Sequence, residues 1–273
     1  MKVGIVAQRD NAPAAALAEV IARNLSQRDV EAVVDETTAR EVDVESIPTP
    51  NLDTCDLVVS IGGDGTLLYA ARGAGATPIL GVNLGQVGFL NATPPEKAVE
   101  RVTAAVDEIR EGDLPIMTLP RLQATGDGWE LPPATNEAVV MGARRGHGNG
   151  VEVEVRVDGN RYTETHADGV MVATPTGSSA YNLSEGGPLV HPGVRGLVIT
   201  EMCATDSMPS LIVATDSDIE VAIDGPAHGN VICDGRSRRR IELPTTVTIS
   251  AKTVPIRLTG ERVDFFAALD KLE

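Results

Sequence analysis

Lysine, aromatic residues and cysteine are all scarce in this chain of 273 residues. Of its 23 basic residues only 4 are lysines, at positions 2, 97, 252 and 271, against 39 Asp and Glu, and the formal net charge is −16. With so few cations and no basic stripe, a broad nucleic-acid-binding face is excluded, because backbone binding needs Lys and Arg to neutralise successive phosphates. Three cysteines (Cys55, Cys203 and Cys233), odd in number and far apart, exclude a disulfide framework or a metal cage. They fit a reducing compartment. No run approaches the ~18 apolar residues of a membrane span, and the N-terminus lacks a signal-peptide pattern. The expectation is a cytoplasmic protein with no membrane partner.

What is present is 42% apolar residues and 27 glycines. That composition and length suit one large or two modest domains with an ample core. An acidic, lysine-poor, arginine-retaining chain with 3% aromatics fits adaptation to concentrated salt. Near 1 M salt the Debye length is about 3 Å, so the self-repulsion of such a surface is screened. An ordinary acidic bacterial protein is the plainer reading. In either case a phosphate-bearing ligand has to be held by local geometry, which directs attention to the glycine-rich loops.

The first third alternates strand and helix patterns. Residues 3–7, 30–34, 57–61 and 78–82 read as strands, 14–25 and 66–72 as helices, and 94–110 as an amphipathic helix. Repeated strand–helix units predict a mostly parallel sheet with helices on both faces. After about Gly112 the helical windows stop, and β-rich segments separated by turn signals take over. Residues 151–157 alternate Val with charged residues before the hairpin turn Asp158-Gly159. Asp127-Gly128 and Asp224-Gly225 look like similar punctuation, and 247–249 and 256–258 are later strands. The organisation expected is an α/β domain over 1–114, a β-rich domain over 115–253, and a segment 254–273, helical over 263–272, that packs back on the first domain.

The strongest local motif is Ser60-Ile61-Gly62-Gly63-Asp64-Gly65-Thr66. A buried strand runs into a loop with three glycines, and a helix follows directly. Glycines remove the Cβ atoms that would keep a phosphate from backbone N–H groups, and the helix start adds unpaired donors and a positive dipole end. A carboxylate repels phosphate, so Asp64 makes sense if it orients or deprotonates a hydroxyl nucleophile or works through Mg²⁺. The structural alternative is a tight turn in which Asp64 caps the helix. A second constellation runs from Asp168 through Thr174-Pro175-Thr176-Gly177-Ser178-Ser179-Ala180-Tyr181-Asn182. It offers many hydroxyl donors at low steric cost, and Tyr181 adds a face for stacking on a base. Gly186-Gly187-Pro188 then forces a reversal. The run Asn83-Leu84-Gly85-Gln86-Val87-Gly88-Phe89-Leu90 and the pair Asn136-Glu137, whose amide and carboxylate suit ribose hydroxyls, are uninformative alone.

In this order, and continuing to His191-Pro192, the motifs from residue 60 to about 192 resemble the NAD kinase family. The Gly-Gly-Asp-Gly core is shared with diacylglycerol kinases and phosphofructokinases; the Thr-Pro-Thr-Gly-Ser-Ser-Ala-Tyr segment is the discriminating one. The resemblance implies phosphoryl transfer from ATP or polyphosphate, with Mg²⁺ or another divalent cation, to the 2′-hydroxyl of NAD's adenosine ribose. It implies an NAD kinase-like two-domain fold with the active site between the domains, and a homodimer or homotetramer. By resemblance Asp64 is the proton acceptor, and Gly62, Gly63, Gly65 and Thr66 form the phosphate loop. Asp64-Gly65, Asn136, Glu137, Asp168 and the stretch Ser179, Ala180, Tyr181, Asn182, Leu183 and Ser184 match dinucleotide contacts.

Some positions depart from the family pattern. His166 stands where many bacterial members place an arginine that helps position NAD, and His147 falls near another variable ligand position; both are candidate substrate contacts. Residues 200–207 lack the Pro and His-Thr-Leu pattern of bacterial members, which points to an archaeal branch. Arg236 opens the dense positive run 236–240 and is a candidate ligand contact; a solvated hairpin face is the alternative for the run. Two other functions share these motifs: a non-catalytic dinucleotide sensor, and a lipid or sugar kinase of the same superfamily. The second would not need the hydroxyl-rich loop, and a lipid kinase would carry a basic membrane-facing patch.

Overall fold

The computed structural model describes residues 1–85, 89–146, 149–251, 254–261 and 264–269. The chain divides into two compact units, one made of Met1–Leu119 with Pro255–Glu273 and the other of Pro120–Val254.

In the first unit the strands are β1 (Lys2–Ala7), β2 (Glu31–Asp35), β3 (Ser46–Ile47), β4 (Leu57–Gly62), β5 (Ile79–Asn83) and β6 (Met117–Leu119). They alternate with helices α1 (Ala12–Ser26), α2 (Asp64–Ala74) and α3 (Ala98–Glu111). The sheet order is β3-β2-β1-β4-β5, then the late strand Ile256–Thr259, then β6. All pairings are parallel except that of β6. Parallel strands buried on both faces read as continuous apolar runs, as 57–61 does. Val3, Ile5, Val59 and Ile61 pack with α1 and α3 on one face, whereas Val6, Val33 and Val58 pack with α2 on the other. In α1, Ala14, Ala18, Ile21 and Leu25 recur at helical spacing and are buried, and the Asn11 side chain caps the first turn through Ala14 N (3.2 Å). A short helix, Phe265–Leu269, lies in the expected C-terminal helical segment, whose remaining residues fall outside those described.

The second unit holds β7 (Leu122–Gly126), β8 (Trp129–Glu130), β9 (Glu137–Gly142), β10 (Val151–Val157), β11 (Asn160–Ala167), β12 (Gly169–Ala173), the one-turn helix α4 (Tyr181–Ser184), β13 (Gly196–Met202), β14 (Leu211–Ala214), β15 (Ile219–Asp224), β16 (Gly229–Cys233), β17 (Ser237–Ile241) and β18 (Thr245–Ala251). They build two antiparallel sheets, β11-β10-β15-β18-β7-β8 and β14-β13-β12-β9-β16-β17. One apolar cluster draws on both, with Val151, Val153 and Val155 from the first and Val140, Val170, Val172 and Val231 from the second. The alternation in 151–157 is thus a one-sided strand, Val inward and charge outward. Asp158-Gly159 does close the β10–β11 hairpin, with φ of 50° and 77° as a type I′ turn requires. Asp224-Gly225 differs from expectation: β15 and β16 lie in different sheets, so it carries the chain across the sandwich. The hairpin turn with that backbone is Asp234-Gly235, between β16 and β17. No helix among the described residues is long and apolar enough to cross a membrane.

Candidate active site

In the first unit the strand order reverses at β1, with β2 on one side and β4 on the other. Open α/β sheets bind ligands beyond the carboxyl ends of their strands at such a reversal. Strand β4 ends there at Gly62, and α2 begins at Asp64. The helix has Gly63 at its cap position and no side-chain cap bond. Asp64 therefore does not cap the helix. Its carboxylate turns instead to the chain after β5 and accepts from Phe89 N (2.9 Å) and Leu90 N (3.2 Å). A Cβ at Gly62 would come within 2.5 Å of Thr66 Oγ1, so that glycine is required by the turn itself. At Gly63 and Gly65 a Cβ would meet nothing within 4 Å. The fold does not need glycine at those two exposed positions, whereas a ligand approaching the backbone amides would. Asn91, fully buried, donates to Gly62 O (3.2 Å) and braces the end of β4. Asn83 Oδ1 accepts from Gly85 N (3.1 Å), and Gln86, Val87 and Gly88 lie outside the described residues.

In the second unit three loop segments meet at adjacent strand ends. The Asp234 carboxylate accepts from the consecutive amides of Thr135 (2.9 Å), Asn136 (2.8 Å) and Glu137 (3.4 Å). Thr174 Oγ1 donates to Thr135 O (2.6 Å), and Thr174 N donates to Asn136 O (2.9 Å). Gly177 lies so close that a Cβ would be 2.0 Å from Asn136 O. Asn136 keeps a partly exposed side chain, whereas Glu137 is 6% exposed and its Oε2 has no hydrogen-bond partner. Burial, reinforced by the Asp234 charge, pushes the Glu137 carboxyl up to about 7.

The rest of the hydroxyl-rich loop divides by exposure. Ser178 is fully buried, donating to Pro175 O (2.6 Å) and accepting from Val190 N (2.9 Å). Asn182 is fully buried too, donating to Ser178 O and Pro188 O and accepting from Thr200 Oγ1 (2.8 Å). Its side chain is committed to holding the loop. Ser179, Ala180, Tyr181 and Leu183 are half-buried and Ser184 is exposed. Arg145 Nη1 donates to Tyr181 Oη (2.8 Å), and its guanidinium lies 5.9 Å from the ring centre. Asp168 accepts from Gly146 N (3.0 Å). His166 contacts Glu152 Oε1 (2.8 Å) and Asn149 O (2.9 Å) through its two ring nitrogens. Both partners are acceptors, so serving both requires the imidazolium. The Asn149 bond first, then Glu152, raises the His166 pKa accordingly. His166, Asp168 and Tyr181 thus converge on the segment after β9, and His147 in that segment falls outside the described residues. Arg236 is exposed in the turn of the β16–β17 hairpin, and the run beyond it is engaged locally, with Arg238 on Asn230 Oδ1 (3.0 Å) and Arg239 over the Trp129 ring (5.6 Å).

Sequence reasoning missed Asn91, Thr174 as a brace, Arg145 and Asp234. Asp234 carried a signal in the Asp-Gly turn ahead of the arginine run, and Thr174 stood in the hydroxyl-rich segment; Asn91 and Arg145 carried none. Among the described residues no group of three or more His, Cys, Asp or Glu could hold a metal ion.

Residues 3–110 match the ATP-NAD kinase N-terminal domain, and residues 135–258 match the ATP-NAD kinase C-terminal domain. A protein of Natronomonas pharaonis named NAD kinase is 51% identical over 273 residues, covering the whole of both chains. The NAD kinase of Haloarcula marismortui is 55% identical over 282 aligned positions, again covering both chains completely. Both organisms are halophilic archaea. In fold, the chain is similar to an NAD kinase from Archaeoglobus fulgidus in complex with ATP, with a TM-score of 0.80 at 24% identity and full coverage of both chains. It is likewise similar to a yeast NADH kinase complexed with NADH, with a TM-score of 0.84 at 22% identity, covering 100% of this chain and 87% of that one. Motif order, two-unit architecture and full-length identity agree: the chain belongs to the NAD kinase family, in its halophilic archaeal branch.

Proposed function

We propose that this protein transfers the γ-phosphoryl group of ATP, or a terminal phosphoryl group of polyphosphate, to the 2′-hydroxyl of the adenosine ribose of NAD, yielding NADP and the shortened donor. The observation that carries this reading is the open glycine pair, Gly63 and Gly65, flanking the Asp64 carboxylate at the uncapped start of α2. In the reaction the ribose 2′-oxygen attacks the γ-phosphorus in line, the bond to the leaving phosphate oxygen breaks, and Asp64 accepts the hydroxyl proton. Backbone N–H groups at 63–65 and the positive end of α2 stabilise the transferred phosphoryl group. Magnesium or another divalent cation, bound on the donor phosphates, would neutralise charge between donor and acceptor.

Residues 1–114 with 254–273 carry the phosphate loop and the Asp64-Gly65 contact to the dinucleotide in this reading, and 115–253 carry the other dinucleotide contacts. Asn136 and Glu137 hold ribose hydroxyls, and Tyr181 offers its ring to a base. Asp168, His166, His147, Arg236 and the stretch 179–184 complete the dinucleotide surface. The protein acts in the cytoplasm as a homodimer or homotetramer, without nucleic-acid or membrane partners.

The test is NADP formation from NAD with Mg-ATP, repeated with polyphosphate, for the wild type and Asp64→Asn. We expect wild-type turnover, and a folded variant that still binds NAD by calorimetry but loses about 10²–10⁴-fold in kcat. NAD binding without NADP formation under any donor would instead make the protein a sensor. Undiminished kcat in Asp64→Asn would remove the proton-acceptor role.

A further inference from the structure

Three consecutive backbone amides converging on one carboxylate form an unusual arrangement at a strand start. Such a concavity ordinarily receives an anion from outside the chain. Here the chain supplies its own: Asp234 accepts from Thr135, Asn136 and Glu137, and its own N–H donates back to Glu137 O (3.0 Å). Asp234 stands at φ 49° in the β16–β17 turn, directly after β16, which pairs with β9 through Cys233 and Ala138. Thr174 grips the same segment from the β12 side, through Thr135 O and Asn136 O. The backbone at 135–137 is therefore held on one side by the Asp234 carboxylate and on the other by the Thr174 hydroxyl, at Thr135 O, and the Thr174 amide, at Asn136 O.

We propose that Asp234 is a positioning residue for dinucleotide binding, aiming Asn136 and Glu137 at the ribose by holding their amides. The proposal rests on the NAD kinase reading of this site. A carboxylate bonded to three amides does more than tie a loop, since its charge also acts on Glu137. The groups facing Glu137 are Asp234 and the buried Cys233, whose thiol is pushed up to about 12 by burial and by the two carboxylates, so that it stays neutral. Arg121, buried nearby, also feels the Asp234 charge. A merely structural tie would be insensitive to the sign of that charge.

Asp234→Asn keeps the size and one acceptor but removes the charge and turns an N–H₂ group toward the amides. Thr174→Val loosens the same segment from the other side at constant charge. The measurements are NAD affinity by calorimetry and KM and kcat for NADP formation, both across pH 5.5–8.5. In Asp234→Asn we expect NAD affinity to fall and KM to rise about tenfold, with kcat at saturation changing less than threefold. The pH midpoint of NAD affinity, near 7 in the wild type because Glu137 titrates there, should move lower in Asp234→Asn and stay in place in Thr174→Val. Wild-type KM in a folded Asp234→Asn protein, or a midpoint that does not move, overturns the positioning role and leaves the kinase reading intact. If Asp234→Asn does not fold, Asp234→Ser, which removes the charge and keeps a hydroxyl acceptor, takes its place, and wild-type NAD affinity in it overturns the role. A wild-type protein that neither binds NAD nor makes NADP removes the reading and the proposal together.

Discussion

At the scale of single residues, exposure separates side chains that can meet a ligand from those that build the place for it. Asn182 and Ser178 are fully buried with their hydrogen-bonding capacity used inside the loop, whereas Asn136 and Tyr181 keep accessible atoms. Glu137 is the telling exception, buried and yet short of a partner. Because its folded pKa of about 7 lies above the ordinary 4.5, the native state holds that proton more tightly than the unfolded chain does. Stability therefore falls as pH rises from the unfolded value through about 7, and it stays lower above that. Glu137→Gln removes the penalty and should show almost no stability difference at pH 4 but a gain of about 1–3 kcal/mol at pH 8, with weaker NAD binding. Thermal melts at the two pH values check this; an equal gain at both would contradict it.

At the scale of elements, the glycines sort themselves by what a methyl group would meet. Gly177 approaches the Asn136 carbonyl so closely that a Cβ would be 2.0 Å from its oxygen, and Gly177→Ala should cost several kcal/mol or abolish folding. Gly63 and Gly65 have open space, and neither has a positive φ. Gly63→Ala and Gly65→Ala should therefore fold with stability within about 1 kcal/mol of wild type, the latter gaining if anything from helix propensity. Each should nonetheless raise the KM for ATP markedly, because the added methyl stands in the path of a phosphate to the amides. Denaturant melts beside steady-state kinetics decide between the two roles, and an unchanged KM would mean these glycines serve no ligand. The motif Gly-Gly-Asp-Gly announces a loop; only the packing of α2 on β4 shows which of its glycines the fold itself requires.

At the scale of the whole molecule, a net charge of −16 opposes the approach of two anionic substrates. The Debye length shortens from about 10 Å at 0.1 M salt to about 3 Å at 1 M. Both KM values should accordingly fall, and melting temperature should rise, as salt increases from low concentration. A KCl series in the NADP-forming assay and in thermal melts measures this. Maximal activity and stability without added salt would count against halophilic adaptation while leaving the kinase reading untouched.

The sequence by itself determined the texture of this protein: strand–helix alternation up to about residue 112, β-rich segments afterwards, and motifs whose order marks the family. These are local properties, written in the periodicity of neighbouring residues and in turn dipeptides such as Asp158-Gly159. It also marked the loop at Asp64 and the hydroxyl-rich run at 174–182. Only tertiary structure decided that Asp64 faces Phe89 and Leu90 rather than capping its helix. The same holds for Asp224-Gly225, which crosses between sheets, and for Asp234, which reaches back about a hundred residues to hold Asn136 and Glu137. Partners so distant along the chain leave no periodic trace. Strand order brings them together, and strand order is settled by which apolar faces bury one another, not by any one segment's own pattern.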